Sequence, residues 1–147
     1  MLLIIGIMYQ LVLPAFSAPD EDTHFASAYR LSNRMMKKQE TDAKGYTVMR
    51  EEDRKGQTYT YGEKEFAGYY RKMFSTEKVD SQTVSYTRKK AEQTVPFPVY
   101  LAPACGITIA RLLHWNGVWT AYSARIFSLL FVALSGAVSY RIPLYQF

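Results

Sequence analysis

The chain has 147 residues, 48% of them hydrophobic, and a formal net charge of +5. All 13 acidic residues and every lysine lie between Asp20 and Glu92, and outside that stretch only Arg111, Arg125 and Arg141 are charged. This excludes an ordinary soluble domain, in which each surface element carries its own wet face; segregation by block is how a membrane protein separates lipid-facing from water-facing chain. The mean hydropathy of −0.17 conceals it by averaging two unlike regions. Within the central block basic and acidic residues are interspersed, which reads as a solvated surface and not as a nucleic-acid stripe. The single cysteine, Cys105, rules out an intrachain disulfide. His24 and His114 are too far apart in sequence, and too poorly flanked, to suggest a metal-ligand cluster. There is no Walker loop, no GxGxxG and no internal repeat.

Residues 1–17 are uncharged and almost wholly apolar. At about 1.5 Å per residue they fall a little short of the roughly 30 Å hydrocarbon thickness. Two readings compete: a short or truncated first transmembrane helix, and a signal peptide. The poor cleavage site at Phe16-Ser17-Ala18 and the missing basic leader favour the helix.

Residues 18–95 form the polar loop. Within it Thr23 to Lys38 has a helical pattern, with Phe25, Ala28, Tyr29, Leu31 and Met35 on an apolar face and Arg30, Arg34, Lys37 and Lys38 opposite. Asp20 or Asp22 is suited to cap its start, and such a basic amphipathic helix is expected to lie on a membrane interface. Lys44 to Gly62 reads as loop with a short hairpin, Glu63 to Phe74 as a second short helix, and Glu77 to Thr94 as a linker.

Residues 96–147 read as a transmembrane helical hairpin. Its first arm, Val95 to Trp115, has its prolines in the first half, where they do least harm. Arg111 is close enough to the end of that arm to snorkel towards headgroups. His114-Trp115-Asn116-Gly117 is a tight turn, and Val118 to Tyr140 is long enough to span. The expected fold class is thus all-α membrane, with about three transmembrane helices and a large polar loop carrying amphipathic interfacial helices.

The sharpest chemical feature is Ala18-Pro19-Asp20-Glu21-Asp22-Thr23-His24-Phe25, which gathers three carboxylates and an imidazole at a membrane boundary. Such a group can act as a general base, bind a divalent metal or orient a sugar hydroxyl; its plainer reading is a helix start with solvated acids. Arg125, about two turns into the last helix, is costly in hydrocarbon, and suits either a phosphate or a carboxylate partner. Tyr59, Tyr61, Tyr69, Tyr70, Tyr86 and Tyr100 can stack on sugars, or simply form a headgroup-level belt.

Three stretches carry a family resemblance: PDEDTHFASAYRLS after the first apolar segment, VPFPVYLAPACGITIARLL, and SARIFSLLFVALSGAVSYRIP with its Arg-x-Pro end, to which GYTVMREED in the loop adds a fourth likeness. Together they resemble the amino-terminal part of a bacterial multispanning membrane family catalogued as a domain of unknown function, whose layout is similar to that of GT-C glycosyltransferases. The resemblance implies that the loop is extracytoplasmic. It implies Asp20 and Glu21 as the catalytic carboxylates, with His24 as their neighbour; with the intramembrane Arg125 read above, His24 is expected to bind ligand. The donor would be a sugar on a polyprenyl phosphate, with a divalent cation as an optional cofactor and no dedicated metal site. It implies a cell-envelope enzyme of the bacterial plasma membrane, making cell-surface polysaccharide. GT-C enzymes use many more than three spans, so the chain is expected to be a fragment, completed by the rest of a longer polypeptide or by partner helices. Membrane lipid is an expected partner and nucleic acid is not. Two alternatives remain: a non-catalytic integral membrane protein whose loop binds a partner or anionic lipid, and a secreted domain with a cleaved signal and a carboxy-terminal hairpin anchor.

Overall fold

The computed structural model describes residues 2–13, 15–18, 20–55, 71, 73–75, 79, 82–87 and 97–141. In chain order these form α1 (Leu2–Val12), α2 (Glu21–Met35), β1 (Val48–Arg50), α3 (Glu51–Lys55), β2 (Thr83–Ser85), a 3-10 turn (Phe97–Tyr100), α4 (Leu101–Leu112) and α5 (Gly117–Arg141). The second loop helix expected over Glu63 to Phe74 falls largely outside the described residues, as do Tyr59, Tyr61, Tyr69 and Tyr70.

The polar block folds around α2. Phe25, Ala28, Tyr29 and Leu31 are buried as the helical period requires, whereas Met35 is exposed on the last turn. The start of α2 is not closed by an aspartate side chain. Asp20 occupies the N-cap position in the left-handed region (φ 61°) and makes no side-chain cap bond. Its carbonyl takes the backbone N–H groups of Thr23 and His24 instead. Asp22 lies inside the first turn, accepting the Thr23 N–H and the Tyr86 hydroxyl. The far end is a Schellman closure built without glycine. Lys37 (φ 54°) donates its N–H to Arg34, and Lys38 to Asn33. Beyond it, Arg34 and Arg30 both hold Glu40. The hydrogen bond from Arg34 comes first among the causes that pull the Glu40 carboxyl below the usual range.

Around Lys44 the chain makes a tight local turn, with Thr41 bridging antiparallel to Thr47 across Gly45, and residues 56–62 of the expected loop and hairpin lie outside the described residues. β1 pairs antiparallel with β2, in the register Val48↔Ser85, Met49↔Val84 and Arg50↔Thr83. A strand therefore occupies part of the expected linker. Three-residue strands are too short to leave a period-two signature.

α4 and α5 make an antiparallel pair. Gly106 of α4 lies against the backbone carbonyl of Ser123, so closely that a Cβ would collide with it. The turn between the two helices repeats the Schellman pattern, with His114 at φ 55° and the Trp115 N–H donating to the Ala110 carbonyl. Pro103 sits in the first turn of α4, where a missing N–H costs nothing.

α5 is the one described helix long and apolar enough to cross a membrane, over Gly117–Ser139, and 22% of its apolar window is buried. Its two halves differ. Val118, Ala121, Tyr122 and Ala124 are packed into the core with α2 and α4, while Phe131, Val132, Leu134 and Val138 are bare. α1 lies beside that second half: Gly6 faces Leu129 and Gln10 donates to the Arg125 carbonyl, so the two helices run in opposite directions. The eleven residues of α1 reach about 16 Å, roughly half a hydrocarbon core. Of the three expected spans, then, the last has spanning length, whereas α1 and the apolar helix over Pro98–Leu112 are shorter. The turn before α5 also lies on the same side as the polar loop, because Gly117 packs directly on the backbone of Glu52 and Asp53. A three-span layout would put it on the opposite side.

Candidate functional site

Where the buried half of α5 gives way to the bare half, a cavity of about 530 Å³ opens between α1, α2, the 3-10 turn, α4 and α5. Val99, Pro103, Leu129 and Val132 supply an apolar wall, and Gln10, Glu21, His24, Tyr100 and Arg125 supply the polar groups. Three of the four residues singled out in the sequence therefore share one cavity. The fourth, Asp20, is exposed one residue before the helix and is not among the lining residues.

Arg125 organises the polar end. Its Nε and Nη2 donate to the two carboxylate oxygens of Glu21 at 2.5 and 2.7 Å, and its Nη1 donates to the Leu13 carbonyl at 2.8 Å. The guanidinium thus closes the end of α1 onto the start of α2 from a helix 104 positions away. Both side chains keep about a fifth of their surface, 17% and 21%, so the pair is held by geometry more than by a dry interior. His24 points its Nδ1 at the Tyr100 hydroxyl, 3.0 Å away, and keeps an exposed ring. An imidazole and a phenol in contact can pass or share a proton at the cavity wall.

A second polar cluster, to which the sequence reading gave no role, lies under the loop. Asp53 is fully buried and accepts from Tyr29 Oη at 2.6 Å and from Arg50 Nε and Nη2 at 2.7 and 2.9 Å. Arg50 also reaches the Trp115 carbonyl and Thr120 Oγ1, both at 3.0 Å. Arg111 does not snorkel. It is 5% exposed, its guanidinium carbon sits 4.4 Å from the Tyr29 ring centroid, and it donates to Ser32 Oγ. Burial first, and then the Asp53 charge, push the Tyr29 hydroxyl well above the usual phenol range. For Arg50 burial works the other way, and the Asp53 hydrogen bond and charge outweigh it, so its pKa is raised. This cluster ties the loop to the α4–α5 turn and leaves little room for a ligand. Its sequence signal was slight: an arginine and an aspartate three apart, in the stretch GYTVMREED.

The donor set does not fit a divalent cation. Among the described residues no three His, Cys, Asp or Glu side chains are grouped to hold one, and the Glu21 carboxylate is already bound on both oxygens.

No curated protein and no solved structure matches this chain. The family model described as "Predicted membrane protein (DUF2142)" does match, over residues 3–143, which takes in all of these elements but the first residue of α1, and both polar clusters. The chain accordingly belongs to that membrane-protein family of unknown function.

Proposed function

We propose that the chain is the amino-terminal part of a GT-C-like glycosyltransferase of the bacterial plasma membrane, drawing on a sugar carried by a lipid phosphate for cell-surface polysaccharide. One observation carries the reading: a largely apolar cavity beside the spanning helix, with Arg125, Glu21 and His24 grouped at its polar end. An isoprenoid chain has its counterpart in Val99, Pro103, Leu129 and Val132, and a phosphate in the guanidinium fork. In the reaction an acceptor hydroxyl oxygen bonds to the anomeric carbon. The bond from that carbon to the phosphate oxygen breaks, and its electron pair leaves with the lipid phosphate. The hydroxyl proton passes to a carboxylate, Asp20 or Glu21, both at the start of α2.

The test is sugar transfer by the intact membrane protein from a polyprenyl-phosphate sugar, with Asp20→Asn and Glu21→Gln compared at equal membrane insertion. Loss of transfer in either variant is expected. Wild-type rates in both would remove the catalytic assignment.

A second reading is a non-catalytic membrane protein whose loop binds a partner or anionic lipid. What favours it is that Glu21 is engaged by Arg125 on both oxygens, as a purely structural tie would be.

A further inference from the structure

Arg125 uses its edges unequally. Nη1 is committed to the Leu13 backbone carbonyl, at the end of α1. Nε and Nη2, the edge matched to a planar or tetrahedral oxyanion, are closed by Glu21. A carboxylate and a phosphate compete for that edge with the same two-pronged geometry. The competition is physically accessible, because the pair lines the cavity and neither partner is sealed from solvent. Leu13 would keep the guanidinium in place while its other edge changed partner, and Glu21, on the first turn of α2, can swing away about its side-chain torsions without unwinding the helix.

We infer that Glu21 is a self-ligand of the cavity, displaced from Arg125 by the phosphate group of an alkyl-phosphate ligand. The inference rests on the phosphate-site reading above and adds a consequence to it. With the edge occupied by Glu21, each carboxylate oxygen gives one of its lone pairs to a guanidinium N–H, which leaves fewer acceptor sites for a hydroxyl. Once phosphate holds the edge those oxygens are released, beside the ligand and beside His24. Binding of the lipid phosphate then favours a fully available base, and without ligand most molecules keep the edge closed. The bound Glu21 also lowers apparent affinity, since only the fraction of molecules with a free edge can bind.

The experiment titrates the intact chain in maltoside micelles with dodecyl phosphate, read by ³¹P NMR, with dodecanol and inorganic phosphate as separate arms. Wild type should bind dodecyl phosphate in preference to both. Glu21→Gln, which cannot form the ion pair, should bind it more tightly, by about tenfold if the open edge is populated in roughly one molecule in ten. Arg125→Ala should lose the ³¹P shift. Retained helical circular dichroism in each variant guards against misfolding. If wild type binds dodecyl phosphate selectively but Glu21→Gln binds it equally or more weakly, the exchange is overturned and the phosphate site stands. If dodecyl phosphate binds no better than dodecanol in any form, the phosphate site itself falls, and the exchange with it. If inorganic phosphate binds as well as dodecyl phosphate, the apolar wall plays no part and the alkyl-phosphate assignment is overturned.

Discussion

Asp53→Asn tests whether the buried cluster under the loop holds the fold together. The substitution keeps volume and one oxygen, so Arg50 Nη2 can retain its bond to Oδ1. The other oxygen becomes an NH₂ facing two donors, Arg50 Nε–H and Tyr29 O–H. Tyrosine can rotate its hydroxyl and accept, as it already does from the Arg50 backbone N–H; the guanidinium cannot. Breaking a buried pair by removing one charge costs about 3–5 kcal/mol. Arg50 keeps Trp115 O and Thr120 Oγ1 as acceptors, which favours the lower end, about 3 kcal/mol. Against a total stability of roughly 5–15 kcal/mol that is a large fraction. The assay is urea unfolding in maltoside micelles followed by tryptophan fluorescence, since the Trp115 carbonyl is bonded to this cluster and the Trp119 ring packs on that of Trp115. The double variant Arg50→Met/Asp53→Leu removes both charges and should lose less than Asp53→Asn alone. Asp53→Asn within about 1 kcal/mol of wild type, or a double variant as unstable as the single, would refute the reasoning.

The remaining predictions concern helix contact and topology. Gly106→Ala should destabilise by about 1–3 kcal/mol, because its Cβ meets the Ser123 backbone, which cannot yield as a side chain would. Gly136→Ala, with nothing near its Cβ, should instead gain up to about 1 kcal/mol of helix propensity in the same melts. Single cysteines at Lys38 and Asn116, in a Cys105→Ser background, should both react with an impermeant maleimide from the same side of the membrane. Protection of Asn116 while Lys38 is labelled would restore the three-span layout.

Much of the local structure was legible because it depends on neighbours in sequence. The buried face of α2 follows the 3.6-residue period, and the turn at His114 to Gly117 announces itself by composition. The span within α5 is visible from its length and its largely apolar composition, in which Arg125 is the one charge before Arg141. Pairing over distance was not legible. β1 and β2 bring three residues each, and nothing in Val48–Arg50 names Thr83–Ser85 as its partner. The same limit applies at the cavity. Glu21, His24 and Arg125 each stood out for chemical reasons, yet their convergence depends on how α1 and α2 meet α5, and Tyr100 entered the reading only as one tyrosine of several.

The span count shows what hydropathy can and cannot decide. α4 is apolar on nearly every side, and in an isolated sequence this fits lipid on the outside equally well as protein. The structure sets it between α2 and the first half of α5, so Ala104, Ile107 and Ala110 meet protein, while Leu101, Ile109 and Leu112 remain bare. A short helix with such a bare stripe, held against a polar helix and ending where the loop packs, matches one lying at the membrane surface better than one crossing it. Arg111 fits that position. Its guanidinium lies over the Tyr29 ring and donates to Ser32 Oγ, while its Nε–H is buried without a hydrogen-bond partner among the described residues. Among the described residues α5 alone has the length and apolarity to cross a membrane, and α1 lies beside its second half.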